Sequence, residues 1–181
     1  MYAWRRDDES DGHSLGSVRH TRTGWTVHGT EVLVGLDTLA CWFRVDLDRD
    51  WVTRTVHVRA ISDQGETTLD LGADPARQWT VDGTVRRDLD GCIDVDIAAT
   101  PLTNTFPIRR LDSLKIGESR TAPVAWVEVP TLRVLRVDQT YRRLGAQHWE
   151  YSDPTHGAFV LEVDTDGVVV AYQGFAVRVP T

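Results

Sequence analysis

The sequence predicts an all-β, mainly antiparallel fold: one large, curved sheet with a single short helix. Three observations carry this expectation. Apolar and polar residues alternate at period two through most of the chain, turn residues cut the alternating runs at close intervals, and only one stretch carries a helix-start signal. About a dozen strands in one domain make a sheet long enough to curl on itself and bury one face. With 181 residues and 41% hydrophobic content the chain can enclose a real core, so residues 1–181 are expected to form one domain.

The elements follow in order. Leu15 to His20 and Gly24 to Val34 form a first pair of strands, separated by Thr21 to Thr23. In the next run Cys41, Phe43, Val45 and Leu47 share one face, with Trp42, Arg44, Asp46 and Asp48 on the other and a turn at Asp48 to Asp50. Trp51 to Ile61, Thr67 to Leu71, Arg77 to Val81 and Thr84 to Leu89 continue the pattern, set off by Asp63-Gln64-Gly65, Gly72 to Pro75, Asp82-Gly83 and Asp90-Gly91. Gly and Asp tolerate the positive φ angles that tight hairpins need. The last strands are Ala122 to Val129, Thr131 to Tyr141, Ala146 to Tyr151, Ala158 to Val163 and Val168 to Val179, with Asp164 to Gly167 as the clearest turn.

Between these halves lies the stretch that organises the chain, GCIDVDIAATPLTNTFPIRRL, residues 91–111. Ile93, Val95 and Ile97 point one way from a strand, while Cys92, Asp94 and Asp96 point the other. Thr100 can cap the N–H groups that follow, and Pro101 suits a first helical position because its missing N–H would have no partner there. Pro107 biases Phe106 away from helical angles, so the helix is expected to last one or two turns before Ile108 to Leu111 extend again. In that extended segment Arg109 and Arg110 would face opposite ways, leaving one to pair with Asp94 or Asp96 and the other free to clamp an anionic head group. Asn104 would cap loose backbone groups.

Charge and composition narrow the function. A net charge of −7 without a basic stripe argues against nucleic acid. No run approaches the ~20 apolar residues of a membrane span, and the N-terminal residues lack a signal-peptide core, so the expected location is cytoplasmic. Cys41 and Cys92, far apart in sequence, read as small buried apolar residues rather than a disulfide. His13, His20, His28, His57, His148 and His156 show no metal-ligand spacing, and no cofactor motif is present; neither metal nor cofactor is expected. Seven tryptophans, Trp4, Trp25, Trp42, Trp51, Trp79, Trp126 and Trp149, are spread over the strands, either filling a large core or converging on a lumen.

The run Cys92 to Asp96, then Thr100 to Leu111, then Val124-Ala-Trp-Val-Glu-Val-Pro130, Gln139-x-Tyr141 and the closing Phe159 to Val179 with Tyr172-Gln-Gly-Phe175 resembles the bacterial putative glycolipid-binding family, once a domain of unknown function. The likeness implies a spiral β-roll, a long sheet wrapped around the helix that starts near Pro101. It also implies a homodimer and a ligand that is a glycolipid or similar lipid-like amphiphile. Gln173 stands where the resemblance implies a Pro before the Gly, which should loosen the last turn. On this reading the ligand-binding candidates are Asp94, Asp96, Asn104, Arg109, Arg110, Trp126, Tyr141 and Tyr172, and no chemistry is performed. Two alternatives remain open: a homodimeric interaction module with a filled core, paired through an open sheet edge, and a hydrolase using Asp94 and Asp96.

Overall fold

The structure, a computed structural model, describes residues 1–8, 11–35 and 38–180. Its strands are β1 (Tyr2–Arg6), β2 (Asp11–His20), β3 (Gly24–Val34), β4 (Leu39–Asp48), β5 (Thr53–Ser62), β6 (Gly65–Ala73), β7 (Trp79–Val81), β8 (Thr84–Val85), β9 (Asp94–Ile97), β10 (Ser119–Val127), β11 (Val134–Arg143), β12 (His148–Asp153), β13 (Gly157–Val163), β14 (Val169–Tyr172) and β15 (Ala176–Arg178). All belong to one sheet, ordered β8 back to β1 and then β15 back to β9. The first and last strands therefore lie side by side in mid-sheet, with Trp4 opposite Arg178. Neighbours are antiparallel except β9 and β10, which run parallel with Asp96 beside Trp126. A parallel pair needs a crossover, and the one helix supplies it.

β1 is absent from the sequence-based expectation. Its alternation covers only Tyr2 and Trp4 before a charged run, too short to register as a pattern, yet Trp4 is almost wholly buried and its indole N–H donates to Val169 O at 2.8 Å. The expected strand from Thr84 to Leu89 is two elements, β8 and a 3₁₀ turn at Arg87–Leu89 that buries Leu89. The expected strand from Val168 to Val179 is likewise two, β14 and β15, separated by a turn in which Gly174 has φ +66°. Gln173 does not loosen that turn. Its N–H donates to Val160 O at 3.0 Å and its side-chain oxygen accepts from Val160 N at 3.1 Å, a pairing proline could not make.

The helix also departs from expectation. Thr100 Oγ1 accepts from Leu102 N at 3.2 Å and starts a 3₁₀ turn, Leu102–Asn104, as the capping argument requires. The chain then continues as α1 (Thr105–Arg110) straight through Pro107. Pro107 sits in the first turn of α1, where backbone N–H groups have no partner within the helix, so it is accommodated rather than disruptive. Ile108 to Arg110 are consequently helical, not extended.

The sheet closes on this crossover. Ile93 O accepts from Thr53 N, and Thr53 Oγ1 accepts from Val95 N at 3.0 Å, so β9 is stitched to the start of β5. Leu102 and Phe106 are fully buried within the roll. Leu102 packs so closely on β2 that a Cβ at Gly16 would lie 2.6 Å from its Cδ2. Side chains fill the interior: Trp4, Trp79, Trp149, Phe43 and Phe106 are among the largest fully buried residues. Cys41 and Cys92 are both buried and free. The outer edge, β8, is two residues long, which makes it a short template for pairing with another chain. Among the described residues, no helix is long and apolar enough to cross a membrane.

Glu31 lies within this core, fully buried on β3 and bonded by the Ser14 hydroxyl on β2. Burial raises its carboxyl from 4.5 to about 8, against the opposing influence of Ser14, Thr100 and Arg6. Folding therefore binds a proton that the unfolded chain releases near its ordinary value, so this group's contribution is full below pH 4.5 and lost as pH rises through about 8. Glu31→Gln should match the parent near the lower limit and be more stable above the upper one, by up to roughly 5 kcal/mol on ~1.4 kcal/mol per pKa unit. Urea unfolding across that pH range reads the difference; superimposable profiles would show that Glu31 stays ionised.

Candidate functional site

Two aspartates of β9, two residues apart, meet different fates. Asp94 is buried and receives both Nη atoms of Arg110, at 2.6 and 2.5 Å, while Arg110 Nη1 also donates to Trp51 O at 3.2 Å. Burial pushes the Asp94 carboxyl up and Arg110 pulls it back; for Arg110 the carboxylate outweighs burial and strengthens its charge. With two short parallel bonds the pair stands as an ion pair, and the face of the guanidinium that would grip an anion bidentately is taken by Asp94. Among the described residues Asp96 has no basic partner. Its Oδ1 accepts from Thr103 Oγ1 at 2.7 Å and its Oδ2 from Gln139 Nε2 at 2.6 Å. Burial raises it, those bonds oppose the rise, and Asp153 and Asp94 add to it.

From Asp96 a chain of hydrogen bonds crosses the sheet. Gln139 Nε2 also reaches Tyr151 Oη at 3.1 Å, and Tyr151 donates to Asp153 Oδ2 at 2.7 Å. Asp153 Oδ1 accepts the backbone N–H groups of Thr155 and His156, and both of its oxygens lie 3.1 Å from His156 Nδ1. For Asp153 these donors outweigh burial and hold the carboxyl below its ordinary value. Tyr151 and Tyr172 are raised by burial first and by the nearby carboxylates second, so both stay neutral. Tyr141, buried below, donates to Asn104 Oδ1 at 2.7 Å, and Asn104 Nδ2 donates to Pro101 O.

Above this chain a cleft of about 200 Å³ opens at the rim of the roll. Asp96, Thr100 and Asn104 line one side, Tyr151, Asp153 and Phe159 the other, with Trp126, His156, Tyr172 and Phe175 completing the walls. The rings are contiguous: Tyr151 to Phe159 is 6.4 Å between centroids, Phe159 to Tyr172 5.6 Å and Tyr172 to Phe175 4.9 Å, with Trp126 and His156 5.9 Å apart. Among the described residues, no Lys or Arg lines it. Arg6 rests against one wall, 3.9 Å from the Phe175 centroid, and is paired with Asp8.

A family profile described as "Putative glycolipid-binding" matches residues 1–178. The chain belongs to that family. A crystal structure of a DUF1089-family protein from Pseudomonas aeruginosa is similar to this chain at 31% identity, with a TM-score of 0.82 over 92% of each chain. No curated protein matches.

Of the residues singled out from the sequence, Asp96, Asn104, Trp126 and Tyr172 line the cleft and Tyr141 supports it from below. Asp94 and Arg110 are bound to each other. Arg109 stands elsewhere, its guanidinium 5.4 Å from the Trp51 centroid and its stem against Gly167, in depressions shared with Asp112, Asp164 and Asp166. Those acids make an anion clamp there unfavourable. Sequence reasoning missed Gln139 as a link and Tyr151, Asp153, His156, Phe159 and Phe175 as lining. One signal was available: a hairpin centred on Thr155 sets Tyr151 directly opposite Phe159.

Removing one partner of the Asp94–Arg110 pair leaves the other buried and unpaired, at a cost of about 3–5 kcal/mol. Arg110→Met should show that loss in urea unfolding, whereas Asp94→Leu combined with Arg110→Met should recover most of it. A double variant as unstable as the sum of its parts would contradict the pairing.

Proposed function

We propose that the protein binds the sugar head of a lipid-like amphiphile in the rim cleft, without transforming it, while the acyl part stays outside the roll. The observation that carries this reading is the contiguous ring surface of Tyr151, Phe159, Tyr172 and Phe175 set beside the carboxylates of Asp96 and Asp153. Apolar sugar faces stack on rings, and Asp96, which receives only two donors, keeps lone pairs for hydroxyl groups. The volume supports a head rather than a whole lipid, since sites for drug-sized ligands run to roughly 300–1,000 Å³ and this one is about 200 Å³. The description of the family agrees with a glycolipid as ligand.

A hydrolytic reading has one observation in its favour, the opposite displacements of Asp96 and Asp153, which is how paired carboxyls divide acid and base roles. The pair first suspected, Asp94 with Asp96, does not serve, because Arg110 holds Asp94. Asp153 is itself fully engaged by its own donors, which leaves it poorly placed to attack or to activate water.

Titration with octyl β-glucoside below its micelle concentration, followed by tryptophan fluorescence and by chemical-shift changes, tests the binding reading. Phe159→Ala and Tyr172→Ala should each weaken binding about tenfold, as expected when a stacking ring worth ~1 kcal/mol and its packing are lost. The glycoside should be recovered uncleaved. Absence of saturable binding by any alkyl glycoside would sink the proposal, and release of octanol would favour the hydrolytic reading.

A further inference from the structure

The electrostatics of the cleft restrict the head group further, resting on the reading that the cleft takes a sugar head. Asp96 and Asp153 both face it, and among the described residues no Lys or Arg faces them. Asp153 lies beside the His156 ring and has three further donors. Among the described residues Asp96 has only neutral donors, Thr103 and Gln139, although it stands half-buried in the wall and close to two other aspartates. An ionised carboxylate drawn partly out of water is costly unless a cation answers it or it takes up a proton, as Glu31 does in the core, and only the first is open to a ligand in the cleft. Asp94, its neighbour on the same strand, has such an answer in Arg110, so the fold is able to supply one and supplies none here.

The walls point the same way. Trp126 adjoins Asp96 in the parallel register, and the faces of Trp, Tyr and Phe rings attract cations as well as sugar faces. Phe175 already holds one cation, the Arg6 guanidinium, on its ring. A phosphate or sulfate would meet two carboxylates and no basic side chain. A neutral sugar would satisfy hydroxyl acceptors but leave the charge of Asp96 unanswered.

We infer that the head group carries an ammonium, as an amino sugar does, and that Asp96 pairs with it against the Trp126 and Tyr172 rings. The amine takes the place in the cleft that the Arg110 guanidinium takes beside Asp94. Discrimination is then against acetylated, neutral and phosphorylated heads, because each of these lacks the cation or brings a like charge to the carboxylates.

Calorimetric titration of the full chain with octyl 2-amino-2-deoxyglucoside, its N-acetyl counterpart and octyl glucoside, at mildly acidic pH and low salt, tests this directly. The amine should bind at least about tenfold more tightly than either neutral glycoside, with the gap narrowing as salt is added. Asp96→Asn, checked for an intact thermal transition, should bind all three alike. Equal binding of the amine and its N-acetyl counterpart by the parent protein overturns the inference, whatever the variant does, and so does a preference that survives in folded Asp96→Asn. Ethanolamine binding as tightly as the amino glycoside overturns the sugar as carrier of the charge. Binding of the neutral glycosides alone leaves the broader reading standing, whereas binding of none removes both.

Discussion

The structure depends on answering the polar groups of a helix enclosed by a sheet. A six-residue α-helix with a single 3₁₀ turn before it is far below the length at which helices hold themselves together, so tertiary contacts must fix it. Leu102 and Phe106 supply the apolar contact. Three polar ties supply direction: Arg110 to Asp94 at its end, Thr103 to Asp96 near its start, and Asn104 to Tyr141 between them. Each tie joins the crossover to β9 or β11, so this short helical passage is held by strands of the sheet that encloses it. The parallel pairing of β9 with β10 follows, because a strand whose exit is pinned inside the roll must return on the same heading.

The same ties separate two functions that look identical in sequence. Asp94 and Asp96 have the same side chain, the same strand and the same face, yet one is neutralised by a guanidinium and the other only by neutral donors. The difference arises from where the helix ends. Arg110 falls in the last turn of α1, above Asp94, while the helix start, with its hydroxyl and amide side chains, falls beside Asp96. Scaffold chemistry is thus confined to the closed end of the crossover and site chemistry to the open end.

Much of the fold was legible because period-two alternation and Gly/Asp turns leave a clear trace when a sheet buries one face. Gly24–Val34 was read to the residue, and the turn at Asp164 to Gly167 is held as expected, with Asp164 accepting from Asp166 N and Val168 N. What escaped was short or conditional on context. β1 offers one full alternation, and Pro107 terminates or initiates a helix according to which turn it occupies, something that only the position of the preceding 3₁₀ turn decides. In the site, the β9 and helix contributions were visible as a dense local cluster. The other wall comes from β12, its turn and β13, more than forty residues away in sequence from Asn104, and local spacing carries no record of that meeting.

A roll filled with tryptophan and a helix has a consequence for how it could handle a lipid. Open barrels that carry lipids leave their lumen hollow, and burial of each methylene contributes about 0.8 kcal/mol there. Here Trp4, Trp79 and Trp149 are already inside, so the aromatic content that might have suggested a lumen has been used to close it. The proposed function therefore falls to the rim, where the rings left partly open, Trp126, Phe159, Tyr172 and Phe175, surround polar groups instead of a tunnel. Selectivity at such a rim must come from the head group alone, since no depth remains to measure a chain. On that reading the burden of discrimination falls on charge and ring geometry, and Asp96, which has no basic partner among the described residues, lies where a head group would enter.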